Sequence, residues 1–316
     1  MSTKKPAAWL IFLSAILSHS FWGFSFMASR TALDAAPVFV LLSHRFLLAF
    51  LAMSLAIPSP LGRLRLRGKP LLPLLAMGLA EPVIYFFGEQ YGLLHSSTIF
   101  SGVCIAMIPI VSTLAAAPLL GERPSLGQLL FSLLSVGGVI GIGLMTRSTG
   151  RLDWIGVAGL LVAVLSAAAY TLLCRGISGA FSPFERTWTM MGVGAVVFTL
   201  CALLACREDP GAYLAPLADR RYLLSLLFLA LCCSVVSYFL SAFVLTHLSV
   251  AQETVFANLT TAVSVFAGAV FLHEKITALG LVCCALILLG IYGVQRCAPA
   301  VREKRGDTPE QEGRGA

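Results

Sequence analysis

Ten runs of about twenty apolar residues divide this chain of 316 residues, and no other feature restricts its fold as strongly. A helix rising ~1.5 Å per residue needs about 20 such residues to cross a ~30 Å hydrocarbon core. The runs cover 7–28, 37–57, 70–92, 98–120, 125–145, 152–174, 184–206, 222–245, 250–272 and 276–296. Only 12% of the residues are charged and 58% are apolar, whereas a soluble domain carries about 25% charged residues. A mean hydropathy of +0.89 agrees. The expected fold is therefore all-α integral membrane, with ten transmembrane helices. A soluble enzyme, a collagen-like chain and a disordered chain are excluded. Little sequence remains between the runs, so function is expected among the helices.

The net charge of +7 does not point to nucleic acid, because of where it sits. Basic residues cluster at Arg63, Arg65, Arg67 and Lys69 and at Arg296, Arg302, Lys304 and Arg305, without the interleaved aromatics of a nucleic-acid platform. Cytoplasmic loops carry such excess. With the N-terminus inside, 14 of the 22 Lys and Arg fall on the inner side, seven on the outer side, and Arg45 within a run. A multi-pass cell-membrane protein with both termini cytoplasmic is expected. The run after Lys4-Lys5 is longer than a signal-peptide core and is read as a retained first helix. The polar, Pro/Gly-rich segment 297–316 is read as a disordered cytoplasmic tail. The nine Cys show no C-x-x-C spacing, so they are read as packing residues, with no metal site and no cofactor.

Sliding the chain by 152 residues lays Tyr91–Gly141 over Phe243–Gly293 without a gap. Fourteen of 51 positions are identical, among them His95/His247, Ser112/Ser264, Glu122/Glu274, Gly138/Gly290 and Gly141/Gly293. Apolar composition yields chance Leu and Ala matches, but not matched Glu, His and Gly. The expected domains are a first repeat at 7–146 and a second at 152–296. Five helices per repeat is odd, so the second copy inserts upside down, the arrangement of many secondary transporters with a midplane site between the halves.

These features resemble the EamA-type transporters of the drug/metabolite transporter superfamily. Trp22-Gly23 is similar to that family's aromatic-Gly element, and Arg45 to its second-helix arginine. The stretch from Tyr91 through His95 and Ser97 to Pro109, then Leu120-Gly121-Glu122, resembles its fourth-helix pattern. Leu248–Gln252 and Leu272-His273-Glu274 resemble its second copy, which here has Thr260-Thr261 where a Pro is usual. The resemblance implies ten helices and export or uptake of small metabolites.

An ionisable side chain at bilayer depth costs about 2.5–3.5 kcal/mol on insertion scales and is a functional candidate by default. His19 lies roughly 18 Å and Glu81 roughly 16 Å from the inner ends of their helices, and Arg45 roughly 12 Å from the outer end of its own. The three share one level near the midplane, with His44 beside Arg45 on another helix face. The second repeat has Cys233 where the first has Glu81, and offers Tyr170, Ser234, Ser237, Tyr238, Ser241 and Asn258 instead. Trp22 and Tyr85 supply aromatic walls, Tyr85 four residues after Glu81 and so on the same helical face. Glu81 is read as a proton carrier, as a counter-charge for an amine, or as a packing partner of Arg45. Glu89, near the outer end, and Glu253, near the inner end beside Arg175 or Arg186, are candidate gates. Pro82 and Pro109 are read as kinks. Glu122 and Glu274 are read as stabilising the next helix N-terminus. Gly137 and Gly141, with Ser264 and Gly268, are read as small residues for close helix approach.

The expected function is secondary active transport, by alternating access, of a small metabolite such as an amino acid, an amine or a drug-like compound. Proton coupling and export are expected, and no P-loop is present to use ATP. The expected partners are the small-molecule substrate and the lipid bilayer, with a homodimer left open. An integral-membrane enzyme acting on lipid or a channel is the alternative. All five Asp lie outside the runs or at their edges and no H-E-x-x-H occurs, so catalysis is not expected.

Overall fold

The computed structural model describes residues 6–60, 62–95, 104–145, 154–271 and 278–298. Within them the chain is helical and contains no strand. The helices are α1 (Ala8–Leu33), α2 (Val38–Leu55), α3 (Leu71–Gly78), α4 (Tyr85–Leu94), α5 (Ile108–Leu120), α6 (Leu126–Met145), α7 (Trp154–Gly176) and α8 (Pro183–Ala205). After them come α9 (Gly211–Leu214), α10 (Arg220–Leu227), α11 (Ser237–His247), α12 (Val250–Thr254), α13 (Ala257–Phe271) and α14 (Ala278–Arg296). Among the described residues seven stretches are long and apolar enough to cross a membrane, and Cys104–Leu120 and Leu126–Ile142 are shorter apolar helices. Ser148, Ser97, Glu274 and nearly all of the tail lie outside the described residues.

Polarity runs opposite to that of a soluble protein. Leu51, Leu72, Leu165, Leu204, Leu281 and Leu289 face outward, while Arg45, Arg186, Glu253, Asn258 and a series of Ser and Thr are buried. Lipid rewards this pattern, since polar groups find partners only inside the bundle.

Helix ends are set by local chemistry. Ser182 and Glu185 form a capping box ahead of α8, with Pro183 in its first turn. Ser249 and Gln252 do the same for α12. Gly121, at φ +70°, takes the left-handed position that ends α5. The first helix continues past Ala28 to Leu33, because no Pro or Gly stops it until Pro37.

Two of the expected helices are interrupted at matching places. Between α3 and α4, Leu79–Ile84 is a widened π-type segment in which Glu81 is extended at φ −137°, ψ 124°. Proline disfavours helical backbone in the residue before it, and Pro82 follows. Between α10 and α11, Phe228–Val236 is also π-helical, and it contains 231–236, the 152-residue image of 79–84. The Ser234 and Ser237 hydroxyls donate five residues back to the Leu229 and Cys232 carbonyls, at 3.0 and 2.9 Å. The ninth expected helix breaks at Val255-Phe256, between α12 and α13.

Several helix pairs join the halves, and two of them run antiparallel. In the first, α6 packs on α14: Gly127 meets Cys297, Gly138 meets Cys283 and Ile287, and Gly293 meets Phe131, so numbers rise on one helix as they fall on the other. The same residues meet in exchanged roles. Gly138 approaches Ile287 as its image Gly290 approaches Ser135, and Ser135 donates to the carbonyl of its own image, Ile287, at 3.4 Å. In the second pair, α2 on α8, Ser43 bonds Thr199 at 2.9 Å, while Trp188 donates to Ser54 at 3.0 Å. Gly138 and Gly141, rather than Gly137, make the close approach; a Cβ on Gly137 would meet nothing within 4 Å.

A Cβ at Gly290 would sit 2.5 Å from that of Ser135 and 2.7 Å from the Phe131 carbonyl. Gly290→Val is expected to destabilise the protein by about 1–3 kcal/mol, and Gly137→Ala to stay within about 0.5 kcal/mol of wild type. Thermal unfolding of the purified protein in detergent measures both.

Candidate functional site

The interruption at Glu81 determines what its side chain can reach. Taken out of helical backbone, the carboxylate accepts the Tyr238 hydroxyl of α11 at 2.7 Å. One residue comes from each half of the chain. The Ala80 carbonyl beside the break accepts the Ser166 hydroxyl of α7 at 2.6 Å. Glu81 is half-buried, as are Trp22 and Tyr85, while Tyr238 and Tyr170 are buried.

Aromatic rings surround this bond. Tyr238 packs edge-on against Trp22 with centroids 5.0 Å apart, and against Tyr170 at 6.1 Å. The Trp22 indole N–H donates to the Cys233 carbonyl at 3.0 Å, in the segment that images Glu81. His19 stands behind Trp22 at 4.9 Å, is buried, and gives its Nδ1–H to the Ala15 carbonyl at 3.0 Å. His19 thus backs the aromatic wall and makes no bond to Glu81.

Arg45 donates through Nε to Ser234 at 2.7 Å, and its guanidinium lies 5.5 and 5.7 Å from the ring centres of Phe46 and Phe86. It is buried, and among the described residues it forms no ion pair with Glu81. The expectation of a Glu81–Arg45 packing pair is not met at contact distance, because Ser234 orients the guanidinium. The charges of Glu89, Glu253 and Arg45 all act on Glu81 across space. Around Glu81, then, two further carboxylates act against one guanidinium.

The remaining candidates divide. The Tyr85 hydroxyl donates to Glu89 at 2.9 Å rather than to Glu81; the shared-face expectation fails because the backbone between the two is not helical. Glu253 is buried and accepts the Ser241 hydroxyl at 2.7 Å. Neither arginine expected beside Glu253 pairs with it. Asn258 donates to Ser135 at 3.1 Å, joining α13 to α6, and makes no bond to the Glu81 group.

Residues outside the expected set close one end of the bundle. Arg175 donates through Nε to Glu122 at 2.7 Å and through Nη1 to the Leu245 and Thr246 carbonyls at 2.9 and 3.1 Å. The other Glu122 oxygen accepts the backbone N–H of Val250 at 2.8 Å. Glu122 thus serves the start of α12 in the other repeat, not the helix that follows it. Arg186 donates to the Cys174 and Ala242 carbonyls at 2.6 and 2.7 Å and to the Thr246 hydroxyl. Lys69 pairs with Glu185 at 2.8 Å. The sequence signals for this network were the Glu122/Glu274 match and the placing of Lys69, Arg175 and Arg186 toward the inner end.

Two apolar grooves, of about 520 and 390 Å³, run along the outer face of α2. Leu47 lines both; Trp188 and Gly192 line the larger, and His44 and Leu226 the smaller. Neither includes Glu81 or its partners. Among the described residues no group of three or more His, Cys, Asp or Glu is arranged to hold a metal ion.

Comparison with known proteins matches this arrangement to one family. Residues 8–144 and 154–296 each match the model of the EamA-like transporter family. A protein of Bacillus subtilis (strain 168) named as the uncharacterized transporter YcxC is 31% identical over 285 residues, covering 89% of this chain and 91% of that one. A probable terminal-alkyne amino-acid exporter of Streptantibioticus cattleyicolor is 27% identical over 307 residues, covering 96% and 97%. A crystal structure at 19% identity superposes with a TM-score of 0.75, covering 92% of this chain and 96% of that one, and supports the fold alone. With helices that suit a bilayer and a family match over both halves, this chain belongs to the EamA-like transporter family.

Proposed function

We propose that this protein is a secondary active transporter of a small amine-bearing metabolite, an exporter working by alternating access and coupled to protons. Its ten membrane crossings form two inverted five-helix repeats. The observation that carries the proposal is the Tyr238–Glu81 bond, in which each half contributes one member at the break of a helix. Antiparallel packing of α6 on its image α14, with exchanged contacts, supports the inversion. A two-fold axis in the membrane plane produces such contacts, as in transporters with a midplane site.

An excess of carboxylate over guanidinium attracts a cation, and faces of Trp22, Tyr170 and Tyr238 suit an ammonium or its apolar neighbours. A relative named as an amino-acid exporter is consistent with such a substrate. Arg45, with only Nε engaged, has Nη groups for a carboxylate. The end closed by Arg175–Glu122 and Lys69–Glu185 faces the cytoplasm in this proposal, since the basic loop Arg63–Lys69 lies there. No observation favours the lipid-enzyme or channel alternative; product formation or ohmic current in liposomes would establish either.

Orientation is tested by single cysteines in a Cys-free background. Position 67 should label only from the cytoplasmic side and position 208, in the corresponding loop of the second repeat, only from outside; labelling of both from one side would contradict the inversion.

Glu81→Gln tests the site, with a probe chosen by thermal-shift screening of amino acids, amines and drug-like cations. A proton-carrying Glu81 requires that the variant lose pH-driven accumulation at least ~tenfold while exchange persists, because the amide mimics the protonated form. A counter-ion role requires that binding and exchange fall together. Wild-type driven transport in a folded Glu81→Gln protein would remove Glu81 from the mechanism.

A further inference from the structure

Tyr238 and Ser241 stand three residues apart on α11, on one face and ~4.5 Å apart along the axis. Each spends its hydroxyl proton on a different carboxylate. Tyr238 donates to Glu81 and Ser241 to Glu253, both at 2.7 Å. Two acidic side chains, one from each repeat, therefore hang from adjacent turns of a single helix. The charge of Glu253 acts on Glu81 across space.

Glu253 is only 4% exposed and accepts the Ser241 hydroxyl on one carboxylate oxygen. The elements packed against α12 bring no cation to it. Of these, α5 carries no ionisable side chain, and α7 presents Tyr170 and Cys174. On α14, Gln295 is bonded to Gln252 while Tyr292 and Arg296 face outward. On α11, His247 gives its ring N–H to the Phe243 carbonyl. Of the two nearby arginines, Arg175 pairs with Glu122, and Arg186 spends its Nη groups on carbonyls, Cys174 and Thr246 and leaves its buried Nε without a partner among the described residues. Around Glu81 stand Tyr238, Tyr85, Glu89 and, without contact, Arg45.

Glu253 is buried and Glu81 half-buried, and neither has a cation at contact distance among the described residues; a carboxylate withdrawn from water in this way is costly, so it takes a proton or meets a bound cation. Two such groups with interacting fields titrate as a pair. We propose that Glu81 and Glu253 form one paired proton site, each carboxyl binding one proton and the pair releasing two in each transport cycle. Glu253 is then a second carrier rather than a gate. The hydroxyls of Tyr238 and Ser241 are spent as donors, which leaves a metal cation few oxygens and favours protons as the ligand. The cycle rests on the transporter proposal above; the paired site itself does not.

Infrared difference spectra of the purified protein between acid and alkaline pH test the site without any substrate. The wild type should show two protonated-carboxyl bands that disappear together as pH rises. Glu81→Gln should remove one and Glu253→Gln the other, and each change should move the titration midpoint of the survivor. Ser241→Ala, which keeps Glu253 but strips its donor, should shift the frequency of one band only and serves if Glu253→Gln does not fold. In liposomes with the membrane potential clamped, accumulation of the screened probe should follow about 100-fold per unit of pH gradient in the wild type and about tenfold in Glu253→Gln. A single carboxyl band, bands moved by sodium rather than pH, or a Glu253→Gln spectrum like that of the wild type would overturn the paired site. Two coupled bands in a wild type that shows no pH-driven accumulation would uphold the site and count against the transporter proposal.

Discussion

Lipid gives a backbone no hydrogen-bond partners, and each departure from regular helix in this protein is settled from inside. Where Glu81 leaves helical backbone, Ser166 takes the adjacent carbonyl and Tyr238 takes the carboxylate. Where the matching segment widens, Ser234, Ser237 and Trp22 supply the missing donors. An unmet polar group in this setting costs several kcal/mol. The break at Glu81 is completed by side chains of the second half, and the widened segment by its own serines together with Trp22 of the first half. A site made this way joins the two repeats by construction.

The halves are alike in packing and unlike in charge. Gly138 and Gly290 allow α6 and α14 to approach so closely that a Cβ on either would meet its neighbour at under 3 Å. The central polar residues do not repeat: Glu81 has Cys233 as its image, and Cys233 gives its thiol proton to the Phe21 carbonyl. A symmetric frame can exchange the exposure of its two ends, while an asymmetric centre gives one substrate orientation an advantage. Burial of Glu253 and Arg186 in the second half shows that its interior is not simply apolar.

Much of the frame was legible in the sequence because hydropathy and repetition are local signals. Apolar runs anticipated most of the described helices, and the 152-residue register relates the two, α6 and α14, that the structure packs together. The site was less legible. Glu81, Tyr238, Tyr170 and Trp22 do come together, since depth in the bilayer can be counted from a helix end. Tyr85 was assigned by helical spacing, which the extended Glu81 backbone cancels, although Pro82 marked the break. Asn258 has suitable depth but turns toward Ser135, and a one-residue rotation separates Gly137 from the contact made by Gly138. Glu122 finds Arg175 and Val250, 53 and 128 residues away. Such partners follow from how the halves dock, which no single helix encodes.

The central claim is that the two ends of the bundle open in alternation about a centre shared by both halves. Spin-label distances measured in one liposome preparation at acid and at alkaline pH test it most directly. One label pair, at Arg123 and Leu248, spans the end closed by Arg175 and Glu122; another, at Tyr91 and Val270, spans the opposite end. The account requires that one distance lengthen as the other shortens. Two distances that stay fixed, or that lengthen together, would contradict it.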